Sequence, residues 1–464
     1  MKASFNHKWI TAGVVAMIFL SPSLLQGCDG ITSANEPESS GVETNLTSKM
    51  RHAHLLPSTA GDGAGKVLDR YAELSTSTEF IMGFSTTVLN PQGVLDRYSQ
   101  EPGVQIKKIL KQSIYGFAVH IDANQLDRLL AIIEVDRDIA WMEPDIKFNM
   151  PSAGSFTPVQ NRQILVSSLP YVGGDLTSTR PGDGSGTVNA DIYILDTGID
   201  HPDVSVVERV DFTAANAELD MTGVLDRYSE GMAAYSDGVG HGTHVAGIAA
   251  AIDDGDHVVG MAPGASLHDF KVLNDQGQGE MSSVISALDV IIARKILNPT
   301  KPYVVNLSLG ADIGTTSYNA LDYAVVKAVS KGVIVVIAAG NQTKNVSTIT
   351  PAHVLEAITV GASTNSSTFA LASFSNYGLG VDVYATGVNV YSLSPFDGYK
   401  FAVEMNGTSM AAPLVTGAIA LFLSTNPSAT VGEVMSTLQT ATKLITVGKG
   451  KSAVTYRLLD ARIL

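Results

Sequence analysis

Apolar residues in this 464-residue chain recur with two periods, and the changes of period divide it into segments. From 189 onward, Val/Ile-rich runs at 192–195, 267–273, 303–309, 333–338 and 357–360 alternate with stretches at 244–252, 281–296 and 318–330 whose apolar spacing is helical. A strand buried on both faces is apolar at consecutive positions. Such strands separated by helices predict an α/β fold, a mostly parallel sheet with helices on both faces. The apolar run 411–423 predicts a further, deeply buried helix. Upstream, strands are expected at 80–84, 115–121 and 139–145. A helix is expected over 124–135, with Leu126, Leu129, Leu130 and Ile133 on one face and Asp122 as its cap. A second helix, interrupted by two prolines and two glycines, is expected near 91–103. Together 79–150 predict a small α+β, ferredoxin-like unit of split βαβ type.

Composition narrows the class. With 45% hydrophobic and 16% charged residues the chain can bury a large core, and its length allows one large domain with a smaller companion. A formal charge of −15 without a basic cluster gives no nucleic-acid footprint. Lys2 and Lys8 precede an apolar segment at 9–20 that is short for a membrane span, which predicts a signal peptide over 1–28 and an exported protein. Cys28, the only cysteine, closes Leu25-Gln26-Gly27-Cys28, similar to a bacterial lipoprotein cleavage box with an unusual Gln26. Lipidation of Cys28, and an ordinary signal with a chance cysteine, are both open readings, and neither leaves an intrachain disulfide. Residues 29–78 are polar and aperiodic and are expected to be a disordered spacer, while 151–185 form a Gly/Pro/Ser-rich connection. The Gly-rich 61–66 lacks the first glycine and the Ser/Thr of a phosphate loop. Val-Leu-Asp-Arg-Tyr occurs at 67–71, 94–98 and 224–228, spacings that fit no solenoid, and is taken as inserted sequence, with a processing or recognition signal as the second reading.

Three residues carry candidate chemistry. Asp196 follows the run 192–195, at the carboxyl end of a strand, where open α/β sheets place their clefts. His241 opens His241-Gly242-Thr243-His244. Ser409 lies in Asn406-Gly407-Thr408-Ser409-Met410-Ala411-Ala412-Pro413, at the first turn of the buried helix, where backbone N–H groups and the dipole favour developing negative charge. Singly, each has a plainer use: a turn residue, a polar group at a helix start, an N-cap. Together they supply an orienting acid, a general base and a nucleophile. Asp-Thr-Gly at 196–198 also marks aspartic proteases, but no second such triplet is present to share the site. His241 and His244 lack the adjacent Glu of a zinc helix, so His244 is expected to pack behind the site.

These segments, in the chain order Asp, His, Ser, resemble the subtilisin-like serine proteases (subtilases), particularly the branch that includes proteinase K; the order is that of subtilisin itself. The likeness covers about 155–464, with 79–150 resembling the family's inhibitory propeptide. It implies a serine endopeptidase made as a self-processing zymogen and cut between about 146 and 165. It also implies Asn341 as oxyanion donor beside the Ser409 backbone N–H, Ser308, Leu309 and Gly310 as the edge that pairs with substrate, and Ala338, Ala339 and Gly340 as a wall of the specificity pocket. Small uncharged walls lead to an expected preference for apolar or aromatic residues at the cleaved bond. The implied partners are polypeptide substrates and the chain's own propeptide. No cofactor is needed for chemistry, with structural calcium at Asp203, Asp254 and Asp382 the one metal expected. The rival from another class is a non-catalytic surface lipoprotein retaining this fold. Two departures stand out. The Asp196–His241 interval is long, so an exposed insertion is expected there, and Leu414 follows Pro413 where many relatives have histidine.

Overall fold

The computed structural model describes residues 77–150, 164–165, 168–172, 174, 188–213, 236–366, 368–447 and 454–463. The expected signal peptide, Cys28, all but the end of the spacer, the copies of the repeat at 67–71 and 224–228, and most of the long interval before His241 lie outside the described residues.

Alternation within each strand builds the main sheet. Ile192 and Ile194 of β6 (Asp191–Asp196) enter one core while Tyr193 and Leu195 enter another. Ile334 and Val336 oppose Val335 and Ile337 in the same way in β11 (Ile334–Ala338). With β7 (Val206–Asp211), β8 (Ser266–Lys271), β10 (Val304–Leu307), β12 (Ile358–Ser363), β13 (Val383–Thr386), β14 (Thr442–Val447) and β15 (Val454–Leu459), these form a nine-stranded sheet in the order β14-β15-β13-β12-β11-β10-β6-β8-β7. Every neighbouring pair is parallel except the terminal hairpin β14–β15. Helices α3 (His241–Ala250) and α6 (Thr408–Thr425) cover one face, and α4 (Met281–Leu297) and α5 (Ala320–Ser330) the other; α7 (Val431–Thr440) leads into β14. The α6 helix is long and apolar enough to cross a membrane, yet it is a core helix, 83% buried.

The N-terminal unit has β1 (Glu79–Phe84), α1 (Pro91–Ser99), β2 (Val104–Leu110), β3 (Gly116–Ile121), α2 (Leu126–Val135) and β4 (Ile139–Pro144), with an antiparallel sheet ordered β2-β3-β1-β4. The interrupted helix near 91–103 forms as α1: Pro91 occupies its first turn, where a missing N–H costs nothing, and the Asn90 side chain caps Gly93 N. The second copy of the repeat lies in α1, where Val94, Leu95 and Tyr98 are core residues. Asp122 does not cap α2 through its side chain, because a 3₁₀ turn at Ala123–Gln125 separates them. The unit lies against the main sheet's helices. Strand β5 (Lys147–Asn149) pairs antiparallel with β9 (Gln278–Glu280), and Met150 N donates to Gly277 O at 2.7 Å. Glu143 accepts Ala320 N at 2.7 Å and Asp145 accepts Ser282 N at 2.9 Å, so two carboxylates fill the N-termini of α5 and α4.

At the far side of the sheet, Glu208 makes a bidentate pair with Arg294 at 2.5 and 2.6 Å, and His268 bridges Glu208 (2.8 Å) to Asp191 (2.9 Å). Burial favours the neutral Glu208 acid, but Arg294 and then His268 outweigh it and hold the carboxyl at about 2. A depressed carboxyl stabilises the fold above its unfolded value of 4.5, and that stability is lost as pH falls through about 2. Glu208→Gln is therefore expected to cost about 2 kcal/mol or more in urea unfolding at pH 7, since it orphans Arg294. This is the low side of the range for buried pairs, because both groups keep some exposure. The deficit relative to wild type should shrink as the pH approaches 2.

Candidate active site

Sheet order places three of the candidate residues side by side, and His241 joins them through Asp196; among the described residues no hydrogen bond links His241 Nε2 to Ser409 Oγ. Strands β6, β10 and β11 are neighbours, and their carboxyl ends lead into Asp196, Ser308 and Asn341 respectively. Asp196 is 1% exposed; its Oδ1 accepts Thr197 N at 2.8 Å and lies 2.7 Å from His241 Nδ1. That bond fixes the proton on Nδ1 and leaves Nε2 as the basic nitrogen. Burial opposes the imidazolium, but the Asp196 carboxylate, with a further contribution from Asp237, raises His241 above its ordinary value.

His241 is the first residue of α3, three residues earlier than the helix expected from 244. Asp237, which the sequence reading passed over, moves the start. Its buried carboxylate accepts Thr197 Oγ1 (2.8 Å), Val239 N (3.2 Å), Gly240 N (2.8 Å), Thr243 N (2.9 Å) and Thr243 Oγ1 (2.8 Å). The signal was legible: an Asp with two glycines just before an apolar helix is an Asx-type cap. Gly242 is required by close approach, for a Cβ there would lie 2.2 Å from Gly198 O. His244 packs behind the site, fully buried, with Nε2 at 3.1 and 3.0 Å from the Val390 and Val403 carbonyls. Burial lowers its pKa to about 3, so it is neutral and donates.

Ser409, 8% exposed, occupies the first turn of α6, whose cap Gly407 makes no side-chain bond to that turn. Its hydroxyl donates to Ser308 O at 3.2 Å, and Ser308 Oγ donates back to Ser409 O at 3.0 Å. Pro413 makes the second bond possible: in a regular helix residue 413 would donate to the Ser409 carbonyl, and proline has no N–H. Asn306 Nδ2 holds Ser308 Oγ at 2.9 Å, and Thr416 Oγ1 holds Asn306 Oδ1 at 2.9 Å. Asn341 is anchored by Thr408, a second residue the sequence reading missed: Thr408 N and Oγ1 donate to Asn341 Oδ1 at 2.9 and 3.0 Å, and Gly340 N donates to Thr408 Oγ1 at 3.0 Å. With Oδ1 so engaged, the Asn341 amide N–H₂ is left beside Gly407. Leu309 is buried and Gly310 exposed along the expected substrate edge. Ala338 and Ala339 are only 3% and 0% exposed, so only their backbone can form a wall.

The description of the subtilase family matches residues 188–457. The chain belongs to the subtilase family. It is 36% identical over 354 residues to the extracellular serine proteinase of Thermus sp. (strain Rt41A), covering 76% of this chain and 77% of that protein. It is 34% identical over 380 residues to subtilisin NAT of Bacillus subtilis subsp. natto, covering 80% and 87%. A crystal structure of a cold adapted subtilisin-like serine proteinase aligns at 29% identity and a TM-score of 0.47, over 62% of this chain and 97% of that one. This subtilase is thus a serine endopeptidase.

The expected calcium carboxylates fall in two places. Asp203 precedes β7 and Asp382 precedes β13, and the order of the sheet separates those strands by roughly 29 Å, so one ion cannot join them. Burial, then Asp254 and Asp256, push Asp203 up to about 8, and its Oδ1 is buried without a partner. A hard cation would relieve both, so Asp203 and Asp254 fit calcium. No group of three or more His, Cys, Asp or Glu side chains converges among the described residues, so an ion there would need carbonyl or water oxygens as well. Asp382 Oδ2 already accepts Thr359 N at 2.9 Å.

Pro413→Ala tests how Ser409 is held. The new N–H should take the Ser409 carbonyl from Ser308, leaving thermal stability equal or higher while turnover falls about tenfold, the equivalent of ~1.4 kcal/mol in the barrier. Equal turnover in a stopped assay would show that Ser308 does not set the nucleophile.

Proposed function

We propose that this exported subtilase cleaves polypeptides through Asp196 as orienting acid, His241 as general base and Ser409 as nucleophile, with an oxyanion site formed by Asn341 and the Ser409 N–H. The observation that carries the reading is the 2.7 Å His241 Nδ1–Asp196 Oδ1 bond at the same end of the sheet that holds Ser409 in the first turn of α6, a turn met by the Asn341 amide oxygen and by no carboxylate. His241 Nε2 takes the Ser409 proton as Oγ attacks the substrate carbonyl. The tetrahedral oxyanion is met by the Asn341 amide and Ser409 N–H. The imidazolium then protonates the leaving amine, and water repeats the sequence on the acyl-enzyme. Substrate would pair with 308–310 and place an apolar or aromatic side chain beside 338–340.

The 79–150 unit is proposed as an inhibitory propeptide whose last strand occupies the cleft until cut between about 146 and 165. Supporting this, the strand ends in close contact with Gly277 (φ +73°), where a Cβ would lie a tight 3.0 Å from Met150 Cβ and 3.2 Å from Met150 O. Calcium at Asp203 and Asp254 would be structural, and export with or without a lipid at Cys28 completes the reading.

N-terminal sequencing of the product released by wild type and by Ser409→Ala tests the zymogen reading: wild type should begin between 147 and 166, and the mutant should stay uncut after signal removal. An organophosphonate should label wild type and not the mutant, whereas a binding module would remain unlabelled. Because His241 must be neutral to act as base and its pKa lies above 6.5, the acid limb of kcat/KM should have its midpoint above 6.5, with activity lost as pH falls through it.

A further inference from the structure

A second concavity lies on the helix face of the sheet, with a volume of about 790 Å³, within the range of sites that enclose small organic ligands. Tyr323 and Val326, one turn apart on α5, form one side, Tyr318 and Leu355 the floor, and Leu379 the rim. Leu379 is 86% exposed and lies at the opening of the groove. The one acidic lining group is Glu356. Among the described residues no lysine, arginine or histidine pairs with it, and its Oε2 is buried without a hydrogen-bond partner. No lysine or arginine lines the groove. The neighbouring Asp322 is answered by His353 Nε2 at 2.8 Å, so the uncompensated charge belongs to Glu356. Its field reaches the rings: burial and then Glu356 push the Tyr318 hydroxyl up to about 12. Tyrosine faces beside an unanswered carboxylate, with apolar walls around them, make an environment that attracts a cation and pairs its apolar body. The overall charge of −15 adds in the same direction.

We propose that this groove binds a small organic cation, an ammonium group on an apolar or aromatic body, with the ammonium on Glu356 and the body between Tyr318, Tyr323 and Leu379. The site lies outside the triad and does not depend on its chemistry.

The test uses the full chain in a Ser409→Ala background, so that neither turnover nor self-cleavage enters, with phenethylammonium chloride as probe and neutral 2-phenylethanol as its isostere. Isothermal titration should show one saturable site with a Kd near or below about 1 mM for the cation. The alcohol should bind at least about tenfold more weakly, and Glu356→Gln should weaken the cation by a similar factor while its unfolding midpoint stays equal or rises. Leu379→Ser should weaken cation and alcohol alike. Absence of saturation by about 10 mM, equal binding of the alcohol, or indifference to Glu356→Gln overturns the proposal. So does displacement of the probe by calcium chloride in wild type but not in Glu356→Gln, which would make the carboxylate a metal ligand.

Discussion

The buried carboxylate of Asp237 is the constraint on which the site depends. Two segments that are distant in sequence, the turn after Asp196 and the first turn of α3, must meet closely enough for one imidazole to reach one carboxylate. Asp237 accepts a hydroxyl from the first segment, at Thr197, and both the N–H and the hydroxyl of Thr243 from the second. Thr197 Oγ1 closes the loop by accepting Gly242 N at 2.9 Å. Burial pushes the Asp237 carboxyl above its usual range even with five donors aimed at it. A network of this kind is stable only when complete, so it permits one geometry, and the 2.7 Å bond between Asp196 and His241 inherits that geometry.

The proposed nucleophile, Ser409, is held by a different device. Helix α6 is apolar on all sides and is fixed by packing, but packing is indifferent to where one hydroxyl points. Direction comes from a broken rule: Pro413 stands where a helix wants an N–H, and the freed Ser409 carbonyl is tied to Ser308 at the end of β10. The lost helical bond costs stability at a site that the surrounding core can absorb. Thr408 then couples α6 to the end of β11, so the hydroxyl and the Asn341 amide move as one body.

How much of this was readable in advance follows from which residues carry periodicity. The central strands were, because Ile192 to Leu195 and Ile334 to Ala338 are apolar at every position. The outer strands were not: β7 carries Glu208 and Arg209 in its middle, and β14 begins Thr442-Lys443, so neither stands out from a loop until its neighbour is known. The proposed triad residues stood out as a set and not singly, since an Asp after a strand, a His at a helix start and a Ser at another are common. What could not be read is partnership. Thr408, Ser308 and Asp237 act through bonds to residues up to 101 positions away, and a chain read in order does not display such distances. Asp122 failed as a cap for a local reason, since three residues of 3₁₀ turn intervene before the helix begins.

One physical feature, the positive end of a helix, recurs at three points, and what fills it differs. At α4 and α5 the N-terminal N–H groups are met by Asp145 and Glu143 of the 79–150 unit. At α6 no carboxylate caps the turn; Thr408 N is met by the neutral Asn341 amide oxygen, which suits the proposed oxyanion, a charge present only during reaction. The filled ends are not simple attractions. Burial raises Asp145 to about 6, against the bonds from Ser282 that lower it, so the contact favours the neutral acid over the carboxylate. A group whose pKa is raised on association strengthens the contact below its free value of 3.8, and loses that contribution as pH rises through about 6. Near neutrality Asp145 is therefore held ionised at a cost, and the 79–150 unit is retained by its strand pairing and apolar packing rather than by this charge. On the proposed zymogen reading, a segment that first blocks a cleft and later leaves it is better held by contacts that a single cut in the chain can weaken than by a deeply favourable ion pair.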